Sequence, residues 1–232
     1  STKSIEISCN FDEVLLSNMG KMFSCKVKDI SVESPSEVTS IEGNYENEKN
    51  SSDVKAVYIF NQTCNYFPSK FDSFFVNIEA IHIKEAFLTF LTTDDLKPFP
   101  KLRYLLASHN NLESLDSDLF SFTPNLERIS LSFNKINTVG YNILKNLPKL
   151  KRAYFANNSC IDLYVSNENE KNLEQLQLKL NRDCFDFLAE ISKVRKEIKQ
   201  SQNASDEKIH EKIKELESEK ENLVLKIARL ES

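Results

Sequence analysis

Three asparagines, Asn110, Asn134 and Asn158, stand 24 residues apart, each inside a frame of apolar side chains. An amide in such a frame does one kind of chemistry well: it satisfies backbone N–H and C=O groups where a chain turns inward. Five cysteines, at 9, 25, 64, 160 and 184, could do redox or ligand chemistry. None forms a CxxC pair, so no zinc or other metal site is expected. Four N-x-S/T sequons occur, at Asn50, Asn61, Asn157 and Asn203. With separated cysteines they favour an oxidising, secretory route, with glycans on those asparagines. His82 and His109 form an isolated pair, and such a pair on a surface is usually inert. The chain lacks GxSxG, HExxH and phosphate-loop motifs, so neither an enzyme nor a cofactor is expected.

The frame that positions the asparagines recurs. Its opening residues are Val54, Ile78, Leu102, Leu126 and Leu150, each 24 residues after the last. Three places on come Val57, Ile81, Leu105, Ile129 and Ala153; five on come Ile59, Ile83, Ala107, Leu131 and Phe155. Ten on come Cys64, Leu88, Leu112, Ile136 and Cys160. A register held over five copies marks a solenoid. The alternating core predicts a short strand in each copy, buried on one face. One coil cannot bury its apolar face alone, whereas stacked coils can. The first two copies carry Gln62 and Ala86 in place of the asparagine, so the ladder is expected to be partial there.

The chain divides into an N-terminal cap (1–53), five repeats (54–165), a C-terminal cap and helix (166–200) and a heptad tail (201–232). Solenoid ends expose core and need caps. Cys9 with Cys25, and Cys160 with Cys184, are the economical disulfides, each worth about 3 kcal/mol in the chain-entropy model; five cysteines allow other pairings. Cys64 is then a buried free thiol, or else an intermolecular or reactive one. In the tail, Ile209, Ile213, Leu216, Lys220, Leu223, Ile227 and Leu230 step by fours and threes, a heptad seam. Lys212 and Lys226 at g face Glu217 and Glu231 at e in a parallel pair, which favours a parallel homo- or heterodimer. The alternative is a single helix folded onto the cap. The net charge of −5 carries no basic stripe, which argues against nucleic acid. No run reaches the roughly 18 apolar residues of a membrane span. The chain opens STKSIEIS without a charged-then-apolar leader, so a secreted form is expected with its signal peptide already removed.

The pattern resembles the leucine-rich repeat, LxxLxLxxNxL. The cysteine-bounded cap, the repeats DLKPFPKLRYL, DLFSFTPNLERISLSFNKI and VGYNILKNLPKL, and NNSCID before a helix and coil resemble secreted leucine-rich-repeat proteins of dipteran insects, including the mosquito immune members. The resemblance implies an α/β solenoid of short parallel strands with disulfide-pinned caps and a C-terminal coiled-coil helix. It also implies pairing through cysteines and coils, and binding of complement-like thioester proteins in haemolymph. No cysteine follows Cys184, so a disulfide-linked coil would need Cys64.

Strand residues between the buried positions form a concave face suited to recognition. There the expected contacts to a protein partner are Tyr58, His82, Tyr104, Arg128, Phe133, Arg152 and Tyr154, with Tyr104, Arg128, Arg152 and Tyr154 as one aromatic and cationic patch. Tyrosine and arginine are enriched in binding hot spots. The expected function is a secreted, non-enzymatic recognition and scaffold protein, in innate immunity by resemblance. The alternative is an adhesive or structural matrix component.

Overall fold

The computed structural model describes residues 2–16, 20–45, 48–166, 170–188, 190–192, 195 and 211–222. Thirteen strands are among them: β1 (Lys3–Leu16), β2 (Gly20–Lys28), β3 (Ser31–Val32), β4 (Ser36–Glu42), β5 (Ala56–Phe60), β6 (Thr63–Cys64), β7 (Ala80–Lys84), β8 (Tyr104–Leu106), β9 (Ser114–Leu115), β10 (Arg128–Ser130), β11 (Thr138–Val139), β12 (Arg152–Tyr154) and β13 (Tyr164–Val165). Two helices follow the same order, α1 (Thr93–Leu96) and α2 (Glu170–Asp183).

Each repeat contributes one parallel strand to the main sheet, beginning two residues after its opening apolar side chain. β5, β7, β8, β10 and β12 pair in parallel, with Val57, Ile81, Leu105, Ile129 and Ala153 in one register. These residues and the next inward set, Ile59 to Phe155, are all buried in a single core that runs from Ile7 to Cys184. The back of the early coils is filled with phenylalanine: Phe67, Phe71, Phe75 and Phe99 lie in edge and stacked contacts within it. Large rings there replace the aliphatic side chains of the later coils and supply much of the buried area.

Both caps extend the sheet, which the repeat pattern does not foretell. The nine-stranded sheet runs β13-β12-β10-β8-β7-β5-β2-β1-β4. β2 pairs in parallel with β5, placing Cys25 opposite Val57, so the cap supplies a further coil-like strand. β1 turns back antiparallel onto β2 and pairs in parallel with β4. Cys9 and Cys25 are bonded across that hairpin, and Cys160 is bonded to Cys184 at the end of α2. At the far edge β13 folds back antiparallel on β12, closed by Phe155 N–H to Leu163 O at 2.9 Å. A short, reversed last strand leaves little edge for another chain to pair with. α2 buries Leu176 and Leu180, and its Asn181 exchanges hydrogen bonds with Asn142 of the last coil at 3.0 and 2.8 Å.

Residues 211–222 are helical and lie against the C-terminal cap. Leu216 is buried, and the Lys220 ammonium sits 4.8 Å from the Phe187 ring. Of the heptad seam, Ile213, Leu216 and Lys220 are therefore in a helix folded on the chain itself. Ile209, Leu223, Ile227 and Leu230 lie outside the described residues. Among the described residues, no helix is long and apolar enough to cross a membrane.

Candidate functional site

The asparagine ladder fixes the turn that ends each strand. Asn110 Oδ1 accepts the N–H groups of Ala86 and Leu88, both at 3.1 Å, and its Nδ2 donates to Ile83 O and Ala107 O at 2.9 and 3.2 Å. Asn134 accepts from Leu112 N–H and donates to Ala107 O and Leu131 O. Asn158 repeats the arrangement with Ile136, Leu131 and Phe155. The ladder reaches further than its asparagines. Gln62 accepts the Ile30 N–H at 3.0 Å, tying the first coil to the cap. At Ala86, which has no amide to offer, the backbone carbonyl takes the Cys64 N–H instead, at 2.8 Å.

One residue before each ladder position the chain enters the left-handed region. Asn61, Glu85, His109, Phe133 and Asn157 have φ between 53° and 57°. This costs a side-chain-bearing residue about 1 kcal/mol or more each, offset by the amide bonds that hold the turn. Asparagine tolerates the conformation best, and Asn61 and Asn157 are the only sequence hint of it among these five. This column carries Phe133 and His109, whose rings stack at 4.3 Å and 8°. Phe133, expected just beyond the strand core, therefore stands on the turn. His82 and His109 are separated in the same way: His82 lies on a strand, against the Tyr58 ring at 5.0 Å.

The open face of the sheet is built by strand alternation. Register aligns Ala56, Ala80, Tyr104, Arg128 and Arg152 in one row and Tyr58, His82, Leu106, Ser130 and Tyr154 in the next. Beyond them come Phe60, Lys84, Ser108, Ser132 and Ala156. The face has two characters. Toward the N-terminal cap, Met22, Ala56, Ala80, Tyr104 and Leu106 form a buried apolar cluster with Tyr58 packed against it. Tyr104, at 5 % exposure, is thus floor and not a free contact, because its neighbours on both strands close over it. Toward the C-terminal cap, the Arg128 guanidinium lies 4.9 Å over the Tyr154 ring, and Tyr154 stacks on the exposed Tyr164 at 6.0 Å. The patch that forms is Arg128, Arg152, Tyr154 and Tyr164; the last was hidden from sequence reasoning because it belongs to the returning hairpin.

Among the described residues, three polar atoms on this face are buried without a hydrogen-bond partner: Tyr58 Oη, His82 Nδ1 and Arg128 Nε. Burial, with smaller contributions from Lys84 and Arg128, lowers the His82 pKa to about 4. Burial likewise raises the Tyr58 phenol. Both are therefore neutral near pH 7.

The adjoining edge of the sheet has the opposite design. Lys55, Glu79, Arg103 and Glu127 alternate in sign along the coils. Lys55 and Arg103 each lie 3.0 Å from Glu79, and Arg103 Nε is 2.6 Å from Glu127. Burial alone would raise the Glu79 pKa, but its bonds to Lys55 and Arg103 outweigh it and hold the carboxyl below the usual range. Beside them Lys101 and Lys149 donate to Asn77 and Asn125, each at 2.7 Å. The charges of Lys55, Glu79, Arg103 and Glu127 are compensated within the fold.

Cys64 is fully buried, its Sγ 3.2 Å from Tyr66 O, and burial pushes its pKa up to about 12. It is neither a nucleophile nor available to a second chain in this fold. Of the sequons, Asn50, Asn61 and Asn157 are exposed, with Asn50 capping the turn at Ser51–Asp53. Asn203 lies outside the described residues.

Residues 100–159 match the family model described as Leucine rich repeat. Among curated proteins, the high affinity nerve growth factor receptor of Gallus gallus is 33% identical over 70 residues. That stretch is 30% of this chain and spans 9% of the receptor's length. Among solved structures, that of the Toll–Spatzle complex, described as a molecular hub in Drosophila development and innate immunity, aligns at 18% identity with a TM-score of 0.44. The alignment covers 52% of this chain and 17% of that one. The matched stretch lies within the parallel strand sheet that the two disulfides flank.

Proposed function

We propose that this chain is a secreted, non-enzymatic recognition and scaffold protein that binds a protein partner on the open face of its repeat sheet and assembles through its heptad tail. The observation that carries the reading is the patch of Arg128, Arg152, Tyr154 and Tyr164, set beside polar atoms left without internal partners. Residue types of this kind dominate binding energy when a partner desolvates them. Two disulfides and the exposed sequons at Asn61 and Asn157 support an oxidising compartment. Glycans at those two turns would stand at the first and last coils and leave the centre of the face open. The resemblance of cap and tail to secreted dipteran immune proteins supports a partner among haemolymph proteins.

Capture from haemolymph on the immobilised chain tests this. The wild type should retain a discrete extracellular protein, and the double variant Arg128→Ala, Arg152→Ala should retain at least about tenfold less. Equal retention rejects this face.

A further inference from the structure

The charge pattern of the open face says what kind of partner segment it takes. The chain as a whole carries more acid than base, with a net charge of −5. Yet the three outward rows, from Ala56 to Arg152, from Tyr58 to Tyr154 and from Phe60 to Ala156, contain no aspartate or glutamate. They contain Lys84, Arg128 and Arg152. On the neighbouring edge stand Glu79 and Glu127, which are spent on Lys55 and Arg103. Lys84 has Glu85 at 3.2 Å. Among the described residues, neither Arg128 nor Arg152 has a carboxylate partner. Arg128 is held by an aromatic ring instead, which fixes a guanidinium without neutralising it.

The two arginines are also directly opposite one another on adjacent parallel strands. Strands in such a sheet lie roughly 4.8 Å apart, a spacing at which one carboxylate can bridge two guanidinium groups or two can pair separately. Like charges brought this close repel, and an incoming anion relieves the repulsion. The rest of the face is unlike a polyanion track. Tyr58 and the Tyr154–Tyr164 stack offer aromatic surface on either side of the charge. A sulfated glycan has nothing to set against that surface, whereas a peptide has.

We infer that the open face binds an extended, acidic protein segment whose carboxylates pair with Arg128 and Arg152 while neighbouring apolar side chains lie on the Tyr154–Tyr164 stack. This rests on the open face being the binding face.

The test uses the full chain and defined probes: a fluorescein-labelled peptide alternating glutamate pairs with phenylalanine, its glutamine counterpart, and heparin. Two variants are compared, Arg128→Gln with Arg152→Gln, which removes the charge, and Ser130→Trp, which fills the middle of the face. Thermal unfolding confirms that each is folded. The glutamate peptide should bind, and bind at least about tenfold more tightly than the glutamine peptide. The charge-removing pair, Ser130→Trp and raised salt should each weaken it by a similar factor. Binding lost in Ser130→Trp but kept in the arginine pair overturns the acidic-segment inference and leaves the face as the binding face. Binding indifferent to both variants overturns the two readings together. Failure of the glutamate peptide to bind, or preference for heparin through the same residues, overturns the inference.

Discussion

Asn110 illustrates how much structure one side chain can hold. Its amide serves two N–H groups of the preceding coil and carbonyls on both coils, in a site from which water is excluded. Replacing it with leucine of similar volume leaves those groups unpaired, at about 1–3 kcal/mol each where no rearrangement rescues them. Asn110→Leu should therefore lose about 3 kcal/mol or more in urea unfolding; a loss within experimental error would mean that the backbone re-pairs as it does at Ala86. His82 makes a different prediction. Its unfolded imidazole takes a proton below about pH 6.5, whereas the folded one does so only near 4. The neutral folded form is thus fully favoured above pH 6.5, and its contribution to stability is lost as pH falls toward 4. Wild type and His82→Gln, melted across that range, should diverge, with the wild type falling more steeply. Parallel curves would place His82 in water. The ladder asparagines were legible because their type and period agree, while the unpaired state of His82 was not, since it depends on Tyr58 from another coil.

At the scale of elements, the C-terminal cap is held by independent devices: the apolar face of α2, the Asn181–Asn142 amide pair and the Cys160–Cys184 bridge. The bridge spans a sequence separation of 24 residues, for which loop closure gives about 3 kcal/mol. Replacing both cysteines by serine should speed hydrogen exchange in α2 and β13 while β5, β7 and β8 keep their protection, because coils interact chiefly with their neighbours. Uniform loss of protection would instead make the cap part of one cooperative unit with the repeats. The strands were legible from their period-2 core. The hairpin β12–β13 and the parallel seating of β2 were not, because neither follows the 24-residue period, and pairing partners far apart in sequence leave no local trace.

For the whole molecule, assembly through the tail is the proposal to test. In the single chain, part of the heptad face is turned onto the cap, with Leu216 buried and Lys220 over Phe187. A partner helix must compete with that contact. Sedimentation of the full chain should give a dimer whose dissociation depends on concentration, and removal of residues 206–232 should leave a monomer that still presents the open face. A full chain that stays monomeric at every concentration would assign the heptad to the intramolecular contact alone.

The sequence by itself determined the solenoid, its period and the inward residues of each coil, because these follow from local periodicity; it left other cysteine pairings open, and the structure bonds Cys9 to Cys25 and Cys160 to Cys184. Only the tertiary structure decided which outward residues are accessible. Tyr104 lies sunk among its neighbours, Phe133 stands on a left-handed turn and Tyr164 arrives from a returning strand to extend the patch of Arg128 and Tyr154. Exposure belongs to neighbouring coils together, and side chains a full period apart meet only when the strands are in place.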